Sequence, residues 1–312
     1  MGAALVISLC LLYAVAGPGP VDSQAADEVI GRTAVEHMRT GESYYEAMDQ
    51  ALRATNGPPK SWRAFREPMI FELWSLLSNE RAVWLAFVVL AGLAGLAVAA
   101  TSDAPLVAPL IPFYLLKSAR LDQQFLVEMW AGPALVIAIA SWRRGWYRTA
   151  AVITTATVLI RELAVVLLVG GLLSRRRDRT PWLVGLVVAV VCVGAHFAFA
   201  GRYASSSGSE APLLGTGGLE RALDMAGVGF SDRAIAGLVL WPVAWLRIRT
   251  DRELALFAGP LLAVPVLGLF VGRDYWGFVV VPTILLFALE GIWSVITRVR
   301  GSMSRQRRES NR

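Results

Sequence analysis

Hydrophobic positions in this chain gather into long runs rather than into the short alternations of a half-buried soluble fold. The runs cover residues 3–16, 82–101, 105–116, 124–142, 149–173, 182–200, 234–246, 254–271 and 276–296. Those at 3–16 and 105–116 are short, and the others approach the ~20 residues that a helix needs to cross a bilayer once tilt is allowed. Peptide groups inside hydrocarbon have no water to bond, so such runs predict helices. The expected fold class is all-α, a polytopic transmembrane bundle of about 9–10 membrane helices. One long polar stretch, residues 18–80, separates the first run from the rest.

This pattern predicts a single integral membrane domain over 1–312. Residues 1–17 form a first span or signal-anchor, 18–80 an extracytoplasmic loop, 81–296 the bundle, and 297–312 a basic cytoplasmic tail. The first run lacks a basic flank and ends at Gly17-Pro18-Gly19-Pro20, so a cleaved signal peptide is the alternative reading. Residues 201–231 read as a Gly/Ser-rich loop with one amphipathic turn.

Arginine orients the chain. Clusters stand at Arg143-Arg144-Gly145-Trp146-Tyr147-Arg148, at Arg175-Arg176-Arg177-Asp178-Arg179, at Arg247-Ile248-Arg249 and in the tail beyond Arg298. The positive-inside rule places all four in the cytoplasm, with the C-terminus. The run 149–173 then has a cluster at both ends and the pair Arg161-Glu162 at its centre. A hairpin of two short helices with the pair at its tip satisfies both facts. A long tilted helix whose pair is met by neighbouring helices is the alternative.

Composition agrees. Hydrophobic residues make up 55% of the 312 and charged residues 17%, against about 25% charged in soluble domains. One water-soluble core could not hide that much apolar side chain. The net charge of +6 comes from arginines between apolar runs, which argues for membrane sidedness rather than nucleic acid. Cys10 and Cys192 both lie in apolar runs, which argues against a disulfide framework or thiolate metal site. The wealth of Ala, Gly, Val and Arg and the scarcity of Lys point to the plasma membrane of a GC-rich bacterium.

Candidate chemistry concentrates on the outer side. Asp22, Asp27 and Glu28 follow the first run, where a carboxylate can act as general base on a hydroxyl acceptor. Arg63, Arg66, Lys117, Arg120, Arg161 and Arg273 are placed to hold a lipid-linked phosphate by charge-assisted hydrogen bonds. Glu128 falls about one turn inside its run, and Glu162 adjoins Arg161. His37 and His196 have no partners at metal-ligand spacing, and no phosphate-cradling glycine loop is present.

The order of these features resembles the GT-C superfamily of membrane glycosyltransferases. Asp27-Glu28, followed by Gly41 and Tyr44-Tyr45, is similar to the opening of its aminoarabinose and mannosyl transferases. Arg66-Glu67-Pro68-Met69-Ile70-Phe71-Glu72-Leu73-Trp74 leads into the next span. Glu128-Met129-Trp130-Ala131-Gly132 and then Arg161-Glu162-Leu163 resemble the polyprenyl-phosphate-mannose enzymes, and Gly272-Arg273-Asp274-Tyr275-Trp276 resembles their last outer loop. The chain is short for the superfamily, and 201–231 has no counterpart in it.

The resemblance implies transfer of a sugar from a polyprenyl-phosphate carrier to a glycan, lipid or protein hydroxyl, with inversion. Asp27 is then the base, with Asp22 the alternative and Glu28 beside it. Arg161 or Lys117 neutralises the leaving phosphate. Arg66, Arg120, Glu128, Glu162, Arg273 and Asp274 bind or orient substrate. The partners are the lipid-linked donor, the acceptor and membrane lipids, with no nucleic acid. No cofactor is certain. Some members of the superfamily use a divalent metal, but no ligand set stands out here. The other readings are a transporter or flippase for a lipid-linked or small anionic substrate, which also needs intramembrane charge, and a non-catalytic membrane scaffold.

Overall fold

Apolar runs without β-alternation become helices, and a cap or a proline starts several of them. The computed structural model describes residues 2–17, 26–56, 65, 67–104, 107–120, 125–174, 178–203, 219–228, 230–269 and 276–310, and these contain no strand. The helices are α1 (Gly2–Ala16), α2 (Ala26–Arg39), α3 (Tyr44–Asn56), α4 (Pro68–Leu76), α5 (Glu80–Ala99), α6 (Val107–Arg120), α7 (Val127–Arg143), α8 (Tyr147–Val158), α9 (Val165–Leu173), α10 (Thr180–Ala200), α11 (Leu219–Ala226), α12 (Arg233–Ile248), α13 (Arg252–Leu262) and α14 (Gly277–Ser310). Asn79, Asp232 and Asp251 cap α5, α12 and α13 by accepting the amides of Ala82, Ile235 and Leu254, which satisfies amides that the helix cannot. Pro68 opens α4 at a position that needs no donor.

Among the described residues, three helices are long and apolar enough to cross a membrane: α5, α10 and the Gly277–Ser304 part of α14. On α10 the outward face is a bare sheet of valine, with Val190 and Val191 each 63% exposed. Water would penalise that surface and hydrocarbon does not. The nine apolar runs, from which about 9–10 membrane helices are expected, mostly form shorter elements. Gly2–Ala16 and Val107–Ala119 fall short, α13 gives way to a 3-10 stretch, Val264–Leu269, and 149–173 is divided.

That division has a clear local cause. After Val158 the backbone of Arg161 is extended (φ −151°, ψ 116°), and a single 3-10 turn, Glu162–Ala164, leads into α9. Arg148, at the start of α8, then lies 3.5 Å from Asp178, just beyond α9. A continuous helix across this run would separate those residues by about 40 Å, so α8 and α9 double back on each other with Arg161 at the bend.

The polar stretch 18–80 is no open loop where it is described. Helices α2, α3 and α4 form a three-helix cap, α2 and α3 turning through Gly41, whose φ of +101° is a left-handed value that suits glycine. Rings join cap to bundle. Trp74 packs edge-on to Phe125 and Trp130, and Tyr44 packs on Phe71 and His196. At the other terminus, α14 runs unbroken for 34 residues to Ser310, so residues 297–310 of the expected tail continue the last apolar helix.

Small residues set the helix spacing inside the bundle. A Cβ on Gly132 of α7 would strike the Phe278 carbonyl of α14, and one on Gly170 of α9 would strike the Phe257 carbonyl of α13. Backbones that approach this closely gain dispersion contacts that lipid cannot replace.

Candidate functional site

The cap, the hairpin bend and the starts and ends of three bundle helices converge at one end of the molecule. Glu128 sits in the first turn of α7, Arg161 at the α8–α9 bend, Glu162 beside it, and Glu67 at the N-cap of α4. Arg161 is buried, as are Glu67 and Glu128. Its Nε lies 3.0 Å from Glu128 Oε1, an ion pair off the hydrogen-bond axis, and its Nη1 lies 3.1 Å from Glu162 Oε2 and 4.0 Å from Glu67 Oε2.

One guanidinium thus faces three carboxyl groups. Burial drives the Glu67 carboxyl well above the ordinary carboxylate range. A hydrogen bond and like charge from Glu162 push the same way, and Arg161 offsets only part of it. Glu67 therefore holds its proton more tightly than an ordinary carboxyl, hydrogen-bonded to Glu162, whose own side chain is 36% exposed. Arg161 thus organises this cluster of glutamates.

Beside Glu67 opens a cavity of about 560 Å³, within the range of small-ligand sites. Its wall carries Tyr44, Tyr45, Glu67, Glu72, His196 and Phe199. Tyr45 stacks between His196 and Tyr203 at 5.8 Å from each, and its hydroxyl lies 3.0 Å from His196 Nδ1. Burial raises the Tyr45 phenol, and the neighbouring Tyr203 adds to the shift. The wall is mainly aromatic and apolar, with Glu67 and Glu72 as its acids.

The residues expected from sequence divide sharply. Glu128, Arg161 and Glu162 come together. Asp27 stands in the first turn of α2, half-buried, and is not in the wall of this cavity. Glu28 is buried, accepts the Phe125 amide at 3.0 Å and meets Arg32 at 3.5 Å, so it ties α2 to the lead-in of α7. Lys117 is exposed near the end of α6. Asp22, Arg66, Arg273 and Asp274 lie outside the described residues, as does the side chain of Arg120. Sequence reasoning did not single out Glu67. Its signal was an acid directly before a helix-starting proline. Glu72 and the Tyr45–His196 pair were also missed as a set, being partners from opposite ends of the polar and apolar segments.

Among the described residues no group of three or more His, Cys, Asp or Glu is arranged to hold a metal ion. The three glutamates here are spread around an arginine, which occupies the place a cation would take. No family of known proteins, no curated protein and no solved structure matches this chain.

Proposed function

We propose that this chain is a membrane glycosyltransferase that moves a sugar from a polyprenyl-phosphate carrier to an acceptor hydroxyl at the cap end of the bundle. The observation that carries the reading is the largely apolar, aromatic cavity bordered by Glu67 and Glu72, between the cap and the cap-side end of α10. The multi-pass bundle of short and broken helices, in a bacterial plasma membrane with the C-terminus cytoplasmic, belongs to the same reading. The sugar rests against the wall made by Tyr44, Tyr45 and His196, and Glu67 and Glu72 hydrogen-bond its hydroxyls. The acceptor O–H gives its proton to the ionised member of the Glu67–Glu162 pair as its oxygen attacks the anomeric carbon. The bond from that carbon to the phosphate oxygen breaks, and polyprenyl phosphate leaves with the electron pair. Because Arg161 is committed to carboxylates, the phosphate is assigned to Arg66, which adjoins Glu67 in sequence, and to Lys117.

The test is complementation of a strain deleted for this gene with wild type, Glu67→Gln or Asp27→Asn at matched membrane levels. Envelope glycans and lipid-linked sugars are profiled by mass spectrometry. The expected result is loss of one glycan and accumulation of one lipid-linked sugar, reversed by wild type and not by Glu67→Gln. If Asp27→Asn fails while Glu67→Gln succeeds, the base is in the first turn of α2 instead. Full rescue by both variants sinks the catalytic reading and leaves a transporter or scaffold.

A further inference from the structure

At the opposite end of α7 a second, larger cavity of about 880 Å³ opens among α7, α12 and α14. Its charged core is Glu290 of α14, buried within the helix packing. Arg143 takes both carboxylate oxygens, with Nη1 at 2.7 Å and Nη2 at 2.6 Å. Arg247 of α12 approaches the already engaged Oε2 at 3.6 Å and gives its Nη1 to the Thr250 hydroxyl at 3.1 Å. One carboxylate therefore faces two guanidinium groups, and both are largely shielded from solvent, with 14% and 28% of their side chains exposed. Arg298 and Asp103 line the same cavity, so its wall holds three arginines and two acids. A surplus cation held away from bulk water is costly unless an anion joins it.

We propose that this cavity binds a phosphate group, carried by an anionic lipid headgroup or by a soluble phosphate compound. The site lies where α7 and α12 end and α14 passes on, so a headgroup reaches Arg247 while its acyl chains lie along the exposed flank of α14 at Ile292, Val295 and Val299. Arg143 then serves as a permanent counter-ion to Glu290, and Arg247 is the arm that meets the ligand. The proposal stands on this end alone and does not depend on the activity of the Glu67 cavity.

The test uses the purified full chain in nanodiscs of phosphatidylglycerol mixed with phosphatidylcholine, followed by native mass spectrometry of retained lipid. Inorganic phosphate is titrated as the soluble probe, with protection against thermal unfolding as its readout. Phosphatidylglycerol should be retained over phosphatidylcholine, and Arg247→Gln should lower that retention about fivefold, the worth of one arginine at an anionic surface. This variant keeps the bidentate Arg143–Glu290 pair. Arg298→Gln, a change at an exposed rim position, serves if Arg247→Gln does not fold and should act in the same direction. Protection by inorganic phosphate that Arg247→Gln removes, without preference between the lipids, assigns the site to a soluble phosphate. Equal retention of both lipids with no phosphate protection, or a preference untouched by either substitution, overturns the proposal.

Discussion

Arg161 and Glu128 meet at 3.0 Å across the join between the α8–α9 bend and the first turn of α7. Neither helix could place its charge there alone. The arginine needs the bend to turn its backbone outward from the helical path, and the glutamate needs the start of α7 to lie level with that bend.

Removing the guanidinium would strand a cluster of buried carboxyls. Arg161→Gln is expected to cost about 3–5 kcal/mol, the usual loss when one partner leaves a buried pair. The loss should shrink as pH falls and the glutamates take up protons. Adding Glu128→Gln to Arg161→Gln should restore part of the stability. Thermal unfolding of the four proteins of this cycle, at two pH values, measures it. A single variant as stable as wild type would show that the cluster is not held by charge.

Glu67 sets a pH dependence with a definite sign. Its carboxyl titrates above the ordinary value of 4.5 in the folded chain because of burial and Glu162. The folded state therefore binds this proton more tightly than the unfolded one. Its contribution is fully present below 4.5 and is lost as pH rises through the folded value. Melting temperature should fall across that interval in wild type and fall less in Glu67→Gln, which keeps a neutral group. Parallel curves for the two proteins would place the controlling proton elsewhere.

The stack of Tyr45 between His196 and Tyr203 separates ring from hydroxyl. Tyr45→Phe loses the bond to His196 Nδ1 and should cost about 1 kcal/mol. Tyr45→Ala removes the ring that docks α3 on α10 and should cost about 3–5 kcal/mol, as large aromatic truncations do. Thermal unfolding separates the two, and equal losses would mean that the stack contributes nothing. In the glycan assay above, Tyr45→Ala should lose more transfer than Tyr45→Phe.

The doubled-back path of α8 and α9 fixes the sidedness of three positions. In a variant without Cys10 and Cys192, single cysteines at Arg148 and Asp178 should react with an impermeant maleimide from the same face of the membrane. A cysteine at Lys117, at the cap end of α6, should react from the other face. Labelling of 148 and 178 from opposite faces would require one continuous crossing.

An all-helical chain bound to a membrane is legible in the sequence, since apolar runs of this length leave backbone groups no other partner. The number of crossings is not. Run length records only where polar residues are absent, whereas the bend at Arg161 and the 3-10 stretch after α13 end helices within runs that hydropathy counts whole. The charge pair at 161–162 is visible as an anomaly, but whether it marks a bend or a paired midpoint depends on contacts such as Arg148–Asp178 that no local pattern encodes. The cap was hidden for a different reason. Its helices are short, amphipathic and interrupted by glycine and proline, so their apolar faces look like scattered residues until Trp74 and Tyr44 are seen against Phe125 and His196. Glu67 gained its interest in the same way, from Glu162 and Arg161 far along the chain.

The cap's rings have a consequence for how the chain is made. Tyr45 finds its His196 partner 151 residues later, while synthesis delivers the N-terminal segment first. During that interval the faces of Tyr44, Phe71 and Trp74 have no wall to rest on, because α7 and α10 are not yet in place. The cap is thus an orphan at birth, stranded beside the bilayer until later helices are inserted. Cut free and produced alone, it would keep its helices' polar sides and present the stranded rings to its neighbours, so it would aggregate rather than behave as a soluble domain.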